Sequence, residues 1–188
     1  MKRLLIVVDY QNDFVDGSLG FEAAKELDDR IATKIAEYRN TENLVCFVKD
    51  SHNKEYRRTL EGKNLPIEHC IEGTEGIELY GKVGESYRST DMVFFKSSFG
   101  SKALFSRLSK LQELADSLNR FPFASIELVG LVTNMCLISN AILVQAACPN
   151  VPIIVDASCT ASPDEELHEK TLDVMKSMYI NIINRKKA

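Results

Sequence analysis

The chain lacks paired cysteine spacing, long apolar runs and a surplus of positive charge, and each absence argues against a class of protein. Its five cysteines, Cys46, Cys70, Cys136, Cys148 and Cys159, are odd in number, scattered and without CxxC spacing. A disulfide framework is therefore not expected, and reduced thiols in a cytoplasmic protein are. No stretch approaches the roughly 20 apolar residues of a membrane span. The aliphatic run Leu4 to Val8 is too short for a signal peptide and is followed by no small-residue cleavage site. A net charge of -4 leaves no basic stripe for nucleic acid. What is present, 188 residues of which 45% are hydrophobic, suffices for one core and a single domain over residues 1–188.

Strand-like and helix-like segments alternate along the chain. Aliphatic runs at Leu4 to Val8, Leu44 to Val48, Met92 to Phe95, Ile126 to Val129, Val151 to Val155 and Tyr179 to Ile183 read as six strands. Apolar residues at helical spacing predict helices over Ala23 to Tyr38, Leu104 to Leu118, Leu137 to Ala147 and Glu165 to Met178. Ser162-Pro163-Asp164 supplies a cap and an early proline for the last of these. Arg185-Lys186-Lys187 reads as a solvated tail. Residues 51–90 break the rhythm and form a long, polar excursion, of the kind that in compact domains usually carries function. The alternation predicts an α/β three-layer sandwich: a central, mostly parallel six-stranded sheet with helices on both faces, Rossmann-like.

In such a sheet ligands sit beyond the carboxyl ends of the strands, and four reactive side chains fall there. Asp9 follows the first strand, Asp50 the second, Lys96 the third, and Cys136 lies just past the fourth. Taken singly, each has an ordinary reading: a loop cap, a turn residue, a solvated lysine, a buried filler cysteine. Taken together they suit amide hydrolysis through a covalent acyl-enzyme. Cys136, expected in the first turn of a helix where unpaired N–H groups favour a thiolate, would be the nucleophile. Asp9 would accept its proton and return it to the leaving nitrogen. Lys96 would lower both their pKa values, and the Cys136 N–H would be one oxyanion donor. No histidine stands in a suitable motif to replace Asp9, since His168 lies on a helix.

Asp9-Tyr10-Gln11-Asn12-Asp13-Phe14, the Lys96 after a hydrophobic strand, and Gly130-Leu131-Val132-Thr133-Asn134-Met135-Cys136 together resemble the signatures of the isochorismatase-like cysteine hydrolases, which include the nicotinamidases. The resemblance covers essentially the whole chain. It implies a catalytic triad of Asp9, Lys96 and Cys136, and a cis peptide at Leu131-Val132 with the Val132 N–H as second oxyanion donor. It also implies self-association into a homo-oligomer.

The excursion holds Asp50-Ser51-His52 and, further on, His69. Two histidines and a carboxylate leave open positions, as a catalytic zinc site does, although such residues are as often plain loop polar groups. The resemblance implies that Asp50, His52 and His69 bind a divalent metal, zinc or a similar ion, which holds the substrate's ring nitrogen. Many nicotinamidases have a further histidine soon after that DxH pair, where this chain runs Asn53 to Arg58. They also carry an aromatic residue and a proline before the metal histidine, where this chain has Leu65-Pro66-Ile67-Glu68-His69. Glu68 reads as a surface acid with a metal role as the alternative. Phe14 is a candidate substrate-packing ring or a core phenylalanine. Cys46 and Cys148 read as fillers, Cys159 as no nucleophile, and Asp156 and His168 as loop ties or interface residues.

The expected function is a hydrolase acting on a small-molecule amide, with nicotinamide to nicotinate plus ammonia the leading reaction. Another small amide or ureido compound, or an isochorismatase-type substrate, is the alternative within the same family. A metal- or ligand-binding module without turnover is the alternative of another class.

Overall fold

Leu4–Val8 form β1, and all five side chains are buried because the strand is covered on both faces. Around it, in a computed structural model that describes residues 1–185, lie β2 (Leu44–Asp50), β3 (Met92–Lys96), β4 (Ile126–Leu131), β5 (Ile153–Ala161) and β6 (Asn181–Ile183). The sheet order is β3-β2-β1-β4-β5-β6 and every neighbouring pair is parallel. The predicted layout of six strands between two helical layers is observed, with the sheet wholly rather than mostly parallel. The chain builds outward from β1 in one direction and then returns to β4 and builds outward in the other. That reversal opens a crevice between the carboxyl ends of β1 and β4, the position at which open α/β sheets bind ligands.

Alternate strand residues feed two cores. On one face Leu4, Ile6, Val8, Cys46, Val48 and Leu128 pack with Leu104, Leu108, Ala141, Val144, Leu172 and Met175 from the helices Lys102–Ser117, Ile138–Ala147 and Glu165–Ser177. On the other face Leu5, Val7, Phe47 and Val129 pack with Ile31, Ile35 and Tyr38 of the helix Asp28–Asn40. The Ser101 hydroxyl caps Lys102–Ser117 through the Leu104 N–H, and the Asp164 carboxylate caps Glu165–Ser177 through the Leu167 N–H.

Several boundaries move. The helix predicted from Ala23 splits into a short turn, Glu22–Lys25, and the main helix from Asp28, with buried Leu27 at the junction. β5 begins two residues late and runs on to Ala161, because its polar residues find partners. Asp156 accepts from Lys34 Nζ at 2.7 Å, from the Ser158 N–H and hydroxyl, and from the Asn184 side chain. Arg185 is tied to Glu169 and Asp173 rather than solvated, whereas Lys186 and Lys187 lie outside the described residues. The excursion contains four single turns, Tyr56–Arg58, Leu60–Asn64, Glu75–Ile77 and Gly81–Glu85. No helix among the described residues is long and apolar enough to cross a membrane.

Gly130 shows how tightly the crevice is built. It lies beside Val8 in the register, has φ +111°, and a Cβ added there would fall 2.0 Å from the Val8 carbonyl oxygen. Any side chain must push β4 away from β1, directly beneath Asp9. Gly130→Ala is therefore expected to lower the unfolding free energy by about 2 kcal/mol or more, measured by denaturant melts; a loss within about 0.5 kcal/mol, the level of an ordinary surface change, would contradict this reading.

Candidate active site and metal centre

Asp9 is the first residue past β1, and its N–H still pairs with the Val48 carbonyl at 2.9 Å. Its backbone then turns left-handed, φ 48°, a conformation that aspartate tolerates better than most residues and that recurs at functional sites. Asp50 and Lys96 are the last residues of β2 and β3 and stand opposite one another in the register. The turn that carries Cys136 follows β4.

These side chains meet. Lys96 Nζ is 2.6 Å from Asp9 Oδ2, 3.1 Å from Asp50 Oδ1 and 3.5 Å from Cys136 Sγ. Asp9 is fully buried, and Lys96 and Cys136 nearly so. The Asp9 contact is an ion pair rather than an aligned hydrogen bond, because neither Asp9 oxygen nor Asp50 Oδ1 receives a well-directed donor among the described residues.

Burial decides the charge states. It raises the Asp9 carboxyl to about 6, with Lys96 pulling the other way and Asp50 adding to the rise. Burial likewise pushes the Cys136 thiol well above its usual value, and the Lys96 charge only moderates this. Burial also opposes the Lys96 ammonium, but the charges of Asp9, Cys136 and Asp50 outweigh it and hold the lysine firmly protonated. The expectation that Cys136 and Asp9 both have lowered pKa values is thereby corrected: Lys96 does pull both down, but desolvation exceeds it and both are raised. Asp50 behaves oppositely to Asp9. Burial would raise it, yet hydrogen bonds from His52 and His69 and the Lys96 charge hold it well below the ordinary carboxylate range.

Cys136 does not begin an α-helix as expected. It lies in a single π-helical turn, Thr133–Leu137, after a cis peptide at Leu131-Val132, with the α-helix starting at Ile138. Such turns frequently occur at functional sites. The Val132 N–H donates to no acceptor among the described residues, while its carbonyl accepts from the Met135 and Leu137 N–H groups. Asn140 bridges the Cys136 carbonyl, 2.8 Å, and the Phe99 carbonyl, 3.0 Å, so the turn is tied to the loop after β3.

Beside this group, Asp50, His52, Glu61 and His69 converge, with one ligand-type atom from each lying within 4.8 Å of the others. Asp50 Oδ2 is 3.1 Å from His52 Nε2 and 3.4 Å from His69 Nε2; Glu61 Oε1 is 3.9 and 3.7 Å from the same two nitrogens. His69 Nδ1 is held by the Ile67 carbonyl at 2.9 Å, which leaves Nε2 for the cluster. Three of the four residues are buried. Two carboxylates and two imidazole nitrogens facing inward suit a divalent cation, and the set is a possible metal site.

Glu61 escaped the sequence reading. It sits on Leu60–Asn64, a turn capped by the Thr59 hydroxyl through the Gly62 N–H, and brings a second carboxylate to the candidate metal cluster. The signal was its place in the excursion after the DxH pair, but the single turn that swings it inward has no periodicity to read. Glu68 points elsewhere: it pairs with Arg57 at the surface, 2.8 Å, and is no part of the cluster. Phe14 is buried with its ring edge-on to His69, centroids 5.4 Å apart.

Gln11, Asn12 and Asp13 are the other residues whose role the sequence left unread. The Gln11 side chain accepts from the Asp50 N–H and donates to the Asp50 and Ile77 carbonyls. Asn12 donates to the Glu75 carbonyl and Asp13 accepts from the Cys70 N–H. This strap fastens the excursion, and with it His69, onto the ends of β1 and β2. A cavity of about 400 Å³, bordered by His52, Tyr56, Glu72, Phe95, Lys96 and Ser97, opens onto the site.

The same architecture occurs in known proteins. The Bacillus subtilis strain 168 isochorismatase family protein PncA is 29% identical over 174 residues, spanning 89% of this chain and 91% of its own. A crystal structure of the nicotinamidase/pyrazinamidase PncA from Bacillus subtilis superposes with a TM-score of 0.81 at 27% identity, covering 97% of this chain and 99% of that one. The pyrazinamidase/nicotinamidase of Streptococcus mutans UA159 gives 0.82 at 25% identity, covering 97% and 100%. The isochorismatase domain profile matches residues 3–187, almost the entire chain and every residue of the crevice, and the protein belongs to the isochorismatase family.

Proposed function

We propose that this chain is a cysteine amidohydrolase that converts nicotinamide to nicotinate and ammonia, acting as a single catalytic domain. One observation carries the chemistry: a buried ammonium, Lys96, lies in contact with both a carboxylate of raised pKa and a cysteine sulfur. The names of the Bacillus subtilis and Streptococcus mutans neighbours support the substrate.

The resting state is a Cys136 thiol beside an Asp9 carboxylate. As Sγ attacks the carboxamide carbon, Asp9 accepts the thiol proton, and a carboxylate raised to about 6 is a stronger base for this than an ordinary aspartate. Lys96 offsets the negative charge that moves from carboxylate to sulfur to oxyanion. The N–H groups of Val132 and Cys136 receive the oxyanion. Collapse expels ammonia, with Asp9 returning the proton to nitrogen and a thioester left on Cys136. Water then attacks the thioester carbon, Asp9 takes one of its protons, and the sulfur leaves with that proton; the carboxylic acid so formed ionises to nicotinate, its proton passing to ammonia. Phe14, packed on His69, is a wall for the substrate ring.

Asp50, His52, Glu61 and His69 would hold a divalent ion, for which the two imidazoles favour zinc. When bound it would supply a Lewis acid beside the triad, able to position and polarise the substrate.

Ammonia release from nicotinamide, compared with a panel of other primary amides and ureido compounds, tests the substrate; nicotinamide should give the highest kcat/KM, and a tenfold preference for another compound would replace it. Cys136→Ala should abolish turnover yet still bind nicotinamide, and retained turnover would end the covalent scheme. Because only the Asp9 carboxylate can accept the thiol proton, and its raised pKa makes it hold a proton to higher pH, kcat/KM should fall as pH drops through about 6. A flat profile from pH 7 to 5 would contradict that role. Glu61→Gln should weaken divalent-ion affinity by at least about tenfold, whereas Glu68→Gln should leave it unchanged; equal affinities in the two variants, by calorimetric titration, would remove Glu61 from the centre.

A further inference from the structure

Three buried polar side chains behind the nucleophile take no part in the chemistry above. The Thr133 hydroxyl lies 2.8 Å from the Thr160 hydroxyl and 2.9 Å from His168 Nδ1. Thr133 opens the π-helical turn that ends at Leu137, Thr160 belongs to β5 beside Gly130, and His168 belongs to the helix Glu165–Ser177. All three are buried, Thr133 completely. Turn, strand and helix are thus joined at one hydroxyl, three residues before the sulfur.

We propose that His168 is a positioning residue for Cys136, acting through the Thr133 hydroxyl to fix the turn that presents both the sulfur and the Val132 and Cys136 N–H groups. This rests on the role given to Cys136 above. A π-helical turn has fewer self-supporting bonds per residue than an α-helix, so its conformation must be imposed by neighbours. On one side Asn140 holds the Cys136 carbonyl to the loop after β3. On the other, Thr133 is the anchor, and a threonine hydroxyl has one proton to give and lone pairs to accept with, so it can bridge one acceptor and one donor. Thr160 and His168 are those two partners. Thr160 and His168 border a different cavity from the one lined by His52 and Lys96, and the side-chain contact of His168 with the turn is the one to Thr133. Burial and the nearby Arg185 favour the uncharged imidazole, with Glu165 and Glu169 pulling the other way, and an uncharged ring can accept from Thr133 as well as donate to it.

The test uses the metal-loaded full chain with nicotinamide as substrate, and iodoacetamide alkylation of Cys136 followed by peptide mass mapping. His168→Phe and Thr133→Val should each cut kcat on the order of 10–100-fold, with KM within about twofold. Thr133→Ser should restore most of what Thr133→Val loses, and His168→Asn, which keeps a nitrogen near the Nδ1 position, should restore part of what His168→Phe loses. The double variant His168→Phe/Thr133→Val should be no worse than the poorer single one, since both break the same chain of bonds. The Cys136 alkylation rate should shift in both single variants by a factor on the order of ten. Unchanged kcat and alkylation accompanied only by a lower melting temperature would overturn the proposal, as would additive losses in the double variant or no rescue by serine. If the unaltered protein releases no ammonia from any amide, the functional reading falls instead; the alkylation rates then decide the positioning role alone, a shift in both variants supporting it and no shift overturning it.

Discussion

A single buried ammonium organises this protein. Lys96 Nζ touches carboxylates from the ends of β1 and β2 and the sulfur from the turn after β4. Removing one partner from such a buried ion cluster costs roughly 3–5 kcal/mol, because the remaining charges stay desolvated and unopposed. The surrounding structure can be understood as what is needed to bring these charges together and keep water from screening them. Gly130 lets β4 approach β1, the aliphatic strands cover the approach from both faces, and the Gln11 strap closes the excursion over Asp50.

The two carboxylates that share the lysine take opposite characters from the same burial. Asp50 lies against two imidazoles and the Lys96 ammonium, which hold its carboxyl low and keep it anionic, as the proposed metal ligand would have to be. Asp9 lacks such donors, so desolvation dominates and its carboxyl rises. Separation of two like groups by environment fits the proposed division of labour, with Asp9 as the base that takes up a proton and Asp50 as the ligand that does not. The cysteine follows from this. With its thiol raised by burial, it needs a neighbouring base rather than a standing thiolate, and Asp9 is in place to serve.

Much of this was legible in the sequence. Aliphatic runs buried on both faces have a plain signature, so β1 to β4 and the polar residues at their ends could be found without coordinates, and the parallel fold then placed Asp9, Asp50, Lys96 and Cys136 in one crevice. What could not be read depended on balances and on short turns. Whether Lys96 or burial governs the Cys136 thiol is a contest of magnitudes that residue order does not express. Glu61 enters the metal cluster through a single turn of helix, and Gln11 works through hydrogen bonds to the backbone of a residue 39 positions away. The π-helical turn at Thr133–Leu137 is met by Asn140, Thr160 and His168, each on a different segment, and none of these contacts is announced by residue order.

In the proposed mechanism Cys136, served by Asp9 and Lys96, forms a thioester with the acyl part of its substrate. Acid-quenching the protein during steady turnover of nicotinamide and mapping its peptides by mass spectrometry tests this directly. An acyl adduct is expected on the peptide containing Cys136 and at none of the other four cysteine positions. Undiminished turnover with the adduct on another residue, or hydrolysis by a protein in which Cys136 has been replaced, would contradict it.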